Sequence, residues 1–145
     1  MPGAITIVDV ETGAAAPIGH YAHAVELDNG IIHLSGQKAW DPETGELVAG
    51  DVETQTGVVF DNIEGVLRHL GLTLEHVTRI QCHLARVEDY EAFNRAYARR
   101  LGAHRPARTT LAGYQLRGGA LVELVADAYR PASSTPPHPQ SRERP

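Results

Sequence analysis

Two stretches of this chain carry apolar residues at three- and four-residue spacings, each bounded by its own start and stop signals. Val59, Phe60, Ile63, Val66, Leu67 and Leu70 form the first stripe, with Asp51 placed to cap it and Gly71 to end it. Tyr90, Phe93, Tyr97 and Leu101 form the second, with Arg99 and Arg100 in its last turn and Gly102 after it. Around them lie short apolar runs at Ala22–Leu27, Ile31–Ser35, Val77–Ala85, Thr109–Ala112 and Leu121–Tyr129. Asp28-Asn29-Gly30 joins the first two runs as a hairpin turn, and Trp40–Gly45 reads as a turn-forming loop. One-sided helices must bury their stripes against a common surface. The pattern therefore predicts an α+β fold, a mostly antiparallel sheet with both helices on one face. The second sheet face then needs cover, and apolar residues such as Val122, Leu124 and Ala126 on it would drive oligomerisation.

At 145 residues the chain makes one domain, expected over residues 1–130. From Pro131 to residue 145 the composition turns to Pro, Ser, His and Arg, a tail with little to bury and expected to be disordered. The net charge of −5 argues against a general nucleic-acid binder. No apolar run approaches membrane-spanning length and no signal-peptide pattern opens the chain, so a cytoplasmic protein is expected. The single cysteine, Cys82, cannot form an internal disulfide and is expected to pack as a small hydrophobe. Eight histidines, His20, His23 and His33 among them, show no recognised metal-ligand spacing, and no metal is expected.

Chemistry concentrates near the C-terminal end of the body. Arg108 stands at the start of one apolar strand, and Glu123 stands in the middle of the next, a strand expected to be its neighbour. A charge in a strand interior is costly unless it is paired or used. Arginine grips a carboxylate at two points, and a glutamate beside it can handle protons. The pair suggests a pocket for a small carboxylic acid. The bland alternative is a structural ion pair, with Arg108 bound to Glu123 itself.

The segment Pro106-Ala107-Arg108-Thr109 and the Leu121-Val122-Glu123 strand resemble the end of the RidA/YjgF (reactive intermediate deaminase) family. The resemblance runs from Pro17 to Ala128. It includes Pro17-Ile18-Gly19-His20-Tyr21, Leu34-Ser35-Gly36-Gln37 and Asp41-Pro42-Glu43-Thr44-Gly45. Asp51–Thr56 with Asn62, and Phe93-Asn94 with Tyr97, complete it in the family's order. It implies a chorismate-mutase-like fold, a homotrimer and active sites in clefts between subunits. It also implies cofactor-independent hydrolysis of 2-aminoacrylate and related 2-imino acids to 2-keto acids and ammonia. Carried over, Arg108 would bind the substrate carboxylate and Glu123 would position water and shuttle protons. Tyr21 would line the pocket, and backbone groups at Gly36 and Thr110 would complete the cradle.

The departures sit around the expected cleft. His20-Tyr21-Ala22-His23 replaces a common Pro-Tyr-Ser-Gln, Thr110 stands where cysteine is frequent, and Trp40 is bulky where a smaller residue is usual. They leave open a pathway-specific hydrolase or deaminase of a bulkier substrate. A non-catalytic, carboxylate-binding trimer is the alternative from another class.

Overall fold

The computed structural model describes residues 3–132, so the tail expected from residue 131 lies, but for Pro131 and Ala132, outside the described residues. Six strands and two helices follow in the order β1 (Ile5–Val8), β2 (Ala24–Leu27), β3 (Ile31–Leu34), α1 (Val52–His69), β4 (Val77–Leu84), α2 (Tyr90–Leu101), β5 (Ala107–Ala112) and β6 (Val122–Tyr129). They build one sheet in the order β1-β2-β3-β6-β4-β5. All neighbouring pairs run antiparallel except β4 and β5, which are parallel and joined through α2. A parallel pair needs such a crossover, and the helix supplies it. Both helices lie on one face, as the apolar stripes predict.

Local chemistry sets the helix limits. The Asp51 carboxylate accepts the Thr54 N–H at 2.9 Å, and that bond holds its carboxyl below the usual carboxylate range. At the other end Gly71 takes φ +74°. Leu72 N–H then reaches Leu67 O at 2.8 Å while Gly71 N–H reaches Arg68 O at 3.0 Å, a Schellman closure. Between these ends Val59, Phe60, Ile63, Val66 and Leu67 are wholly buried against Ile80, Cys82, Leu84, Val122 and Leu124 of the sheet. Gly65 has a separate purpose. A Cβ there would lie 1.8 Å from Gly13 O, so the N-terminal segment crosses α1 at contact distance.

Two expectations are corrected and one strand is added. Arg108 and Glu123 are not on neighbouring strands, because β4 runs between β5 and β6. Val122, Leu124 and Ala126 do not line the second face: they point into the helix-covered core, and the residues of opposite parity, Glu123, Val125, Asp127 and Tyr129, face away from it. Apolar groups still occupy that open face, with Ile5, Ile7, Ile31, Leu111 and Tyr129 exposed. Finally, β1 is an edge strand that the sequence pattern does not indicate. Its four residues are too few to establish a period, and three of them are exposed.

Candidate active site

Arg108 sits opposite Ile80 in the parallel β4–β5 register, which turns its side chain to the helix face. There Nη1 donates to Asn94 Oδ1 at 2.8 Å and Nη2 donates to Tyr90 Oη at 2.8 Å. The guanidinium carbon lies 4.8 Å from the Tyr97 ring centroid, 5.7 Å from that of Tyr90 and 5.9 Å from that of Phe93. Arg86, Arg95, Arg99, Arg100 and Arg130 each meet a carboxylate. Arg108 meets none among the described residues; neutral dipoles and π faces hold its charge. The structural ion pair with Glu123 is therefore absent. A fork oriented by α2 with its charge uncompensated can receive an anion.

The surroundings of Arg108 are polar but unspent. Among the described residues Tyr97 Oη and Thr110 Oγ1 are buried without a partner of good hydrogen-bond geometry, with the Cys82 thiol beside the Thr110 hydroxyl. Cys82, wholly buried opposite Thr110, has its thiol pushed up to about 12 by burial, with the Arg108 charge opposing. Burial likewise pushes the Tyr97 phenol up, so neither group is ionised at neutral pH. Cys82 is the inert small hydrophobe the sequence predicts. A cavity of about 270 Å³ opens beside Asn94, Tyr97, Leu101, Pro106 and Arg108.

Glu123 belongs to the opposite face. It pairs with His83 in the antiparallel β4–β6 register and turns away from the helices. Lys38 Nζ lies 2.5 Å from its Oε2, and His83 Nδ1 lies 3.7 Å from its Oε1. Gly36 gives it room: a Cβ there would stand 3.1 Å from the Glu123 carboxyl carbon. Tyr21, Ser35, Gly36, Lys38 and Glu123 line a cavity of about 290 Å³. Tyr21 is held by its hydroxyl, which accepts the Ile18 N–H at 3.3 Å, and Ser35 Oγ donates to Ala22 O at 2.6 Å.

The expected residues thus fall into two groups. Tyr21, Gly36 and Glu123 meet on the open face, while Arg108 and Thr110 meet on the helix face, with the sheet between. Lys38 and His83 belong to the first group and were not among the expected residues. Lys38 directly follows the Ser35-Gly36-Gln37 segment, and that adjacency is the signal that could have found it. Two cleft candidates are structural. His23 is buried, accepting the Val10 N–H at Nδ1 (3.0 Å) and donating from Nε2 to Ala15 O (2.9 Å). Trp40 packs its ring against Gly118, and its carbonyl accepts from Asn62 Nδ2 at 2.8 Å. His20 is exposed. Among the described residues no three His, Cys, Asp or Glu side chains form a group that could hold a metal, and no helix is long and apolar enough to cross a membrane.

Comparison with known proteins identifies the family and the fold. Residues 12–130 match the family model described as Endoribonuclease L-PSP. A RutC family protein of Pyrococcus abyssi is 36% identical over 117 residues, covering 81% of this chain and 91% of that protein. Protein DfrA of Myxococcus xanthus is 39% identical over 116 residues, covering 79% of this chain and 88% of that protein. Among solved structures, YyfA of Yersinia pestis, described as a protein of the conserved Rid family with unknown function, superposes with a TM-score of 0.82 at 33% identity. That superposition covers 88% of this chain and all of that one. Escherichia coli TdcF, solved with bound serine, superposes with a TM-score of 0.80 at 25% identity over 87% of this chain and 99% of that one.

Proposed function

Because the chain belongs to the RidA/YjgF family, we propose that it is a cofactor-independent hydrolase of small 2-imino acids and their enamine tautomers, yielding 2-keto acids and ammonia. The observation that carries this reading is the uncompensated guanidinium of Arg108, aimed by Asn94 and Tyr90 and ready for a carboxylate. The serine bound to TdcF supports a ligand of that size and charge. The imine carbon is already activated by its nitrogen, so the protein needs to hold the carboxylate, place a water and move protons. Arg108 does the first. Glu123, in a cavity with Tyr21 and Gly36, does the second and third.

Arg108 and Glu123 lie on opposite sides of one sheet, so a single chain does not bring them together. The reading therefore includes a homotrimer in which Arg108 of one subunit meets the Glu123 cavity of its neighbour. The open face, with Ile5, Ile7, Ile31, Leu111 and Tyr129 exposed, supplies apolar area for such an assembly. The test generates 2-iminopropionate with an amino-acid oxidase and follows its loss by semicarbazide trapping. The wild-type protein is expected to accelerate that loss, and Arg108→Ala to lower kcat/KM at least about 100-fold, as expected for a lost charge-assisted bidentate contact. An Arg108→Ala protein that retains full acceleration would overturn the assignment.

A further inference from the structure

We infer that Lys38 is a second catalytic residue, the proton donor to the substrate nitrogen, working in alternation with Glu123; this inference rests on the imine-hydrolysis reading. The backbone sets its position. Gln37 and Leu124 exchange both main-chain hydrogen bonds, at 2.8 and 3.0 Å. In an antiparallel bridge the next pair outward, Lys38 with Glu123, shares one face. The Lys38 carbonyl also accepts from the buried Asn62 Nδ2 at 3.4 Å. The ammonium is thereby delivered to Glu123 Oε2 at 2.5 Å with 16% of the lysine side chain exposed, inside the cavity that Tyr21, Ser35 and Gly36 share.

Fold stability does not account for this pair. Withdrawing two charges from water costs several kcal/mol per ion, and their attraction at best roughly offsets that cost. Chemistry accounts for it. Water addition to C=NH requires a base for the water proton and an acid for the nitrogen. In the first half, the water oxygen bonds to the imine carbon as Glu123 takes its proton. The C=N π pair moves to nitrogen, which takes a proton from Lys38. In the second half, the neutral Lys38 amine takes the carbinolamine hydroxyl proton as C=O forms. The C–N bond breaks in that same step, the nitrogen having taken up the proton held by Glu123, so that it leaves as neutral ammonia. Both groups return to their starting forms, and the sum is imine plus water to ketone plus ammonia.

The other polar groups nearby are placed differently. Ser35 Oγ already donates to Ala22 O. His83 stands 3.7 Å from the other carboxylate oxygen with its ring 5.3 Å from that of Tyr114, and it does not line the cavity. Among the described residues that face Glu123, Lys38 alone makes a contact short enough to pass a proton.

The experiment compares wild type with Lys38→Arg, Lys38→Met and Lys38→Cys in the 2-iminopropionate assay, each checked for folding by its melting curve. Arginine keeps the positive charge beside Glu123 but does not release a proton at neutral pH. All three variants should lose about 100-fold in kcat with little change in KM, the usual scale of a lost general acid. Aminoethylation of the introduced thiol in Lys38→Cys restores an amine one sulfur away from lysine and should recover most of the rate. Methylation of the same thiol should not. The native Cys82 is wholly buried, so the modification is selective. Wild-type kcat in Lys38→Arg or Lys38→Met, or no recovery on aminoethylation, would overturn the role of Lys38 while leaving imine hydrolysis standing. A wild-type protein without imine hydrolysis would overturn both.

Discussion

A guanidinium with no carboxylate partner and a carboxylate wedged against an ammonium are opposite uses of charge. Arg108 keeps its charge available, which neutral partners permit. Glu123 has its charge engaged by Lys38 at 2.5 Å. Near Arg108 the buried Thr110 hydroxyl has no partner of good geometry among the described residues, with the weakly bonding Cys82 thiol beside it, and an unsatisfied buried hydroxyl costs about 1–3 kcal/mol. Thr110→Val keeps the shape and removes the orphan oxygen, so it should raise stability by about 1 kcal/mol by chemical denaturation. Because the expected contribution of residue 110 to the cradle comes from its backbone, KM should not move. A destabilised variant would mean that the hydroxyl finds its partner in the assembled protein. Sequence singled out Arg108, Glu123, Tyr21 and Gly36 as candidates because each stands in a short, recognisable segment. It did not expose Lys38, whose place beside Glu123 comes from a main-chain bridge between Gln37 and Leu124 across 87 positions of chain. Nor did it reveal that His23 is a structural residue, since both of its ring nitrogens are satisfied by loop backbone.

At the level of elements, the helices were the most readable part. Asp51, Gly71 and Gly102 mark helix ends through hydrogen bonds and φ values that depend on local chain alone. The sheet was less readable because strand parity and neighbour order are decided by partners far away in sequence. The misplacement of Val122, Leu124 and Ala126 is a one-residue phase error, which in a strand moves every side chain to the other face. Gly65 shows the same dependence on distant chain. Nothing local requires glycine there, yet Gly13 O occupies the space a methyl would need. Gly65→Ala should therefore destabilise the protein by about 1–3 kcal/mol, the range for overpacking a filled site, as read from urea denaturation. An unchanged midpoint would mean that the 13–15 segment is free to shift.

For the whole molecule, imine hydrolysis by Arg108 and Glu123 as proposed requires assembly, because the sheet separates the two residues within one chain. Arg108→Ala and Glu123→Ala subunits, each inactive alone, should complement when unfolded together and refolded. Every mixed trimer then contains one site with both residues intact, so random mixing should recover about a quarter of wild-type activity. No recovery, with mixed trimers demonstrated by native mass spectrometry, would show that both residues serve the same subunit.

The strand order carries one more consequence. Among the described residues β6 is the last strand in sequence, yet it lies at the middle of the sheet, hydrogen-bonded to β3 on one side and β4 on the other. Until residues 122–129 are made, the β1-β2-β3 ribbon and the β4-α2-β5 unit have no strand to join them. During synthesis each half exposes a bare edge, and the segment that carries Glu123 is also the one that closes the sheet.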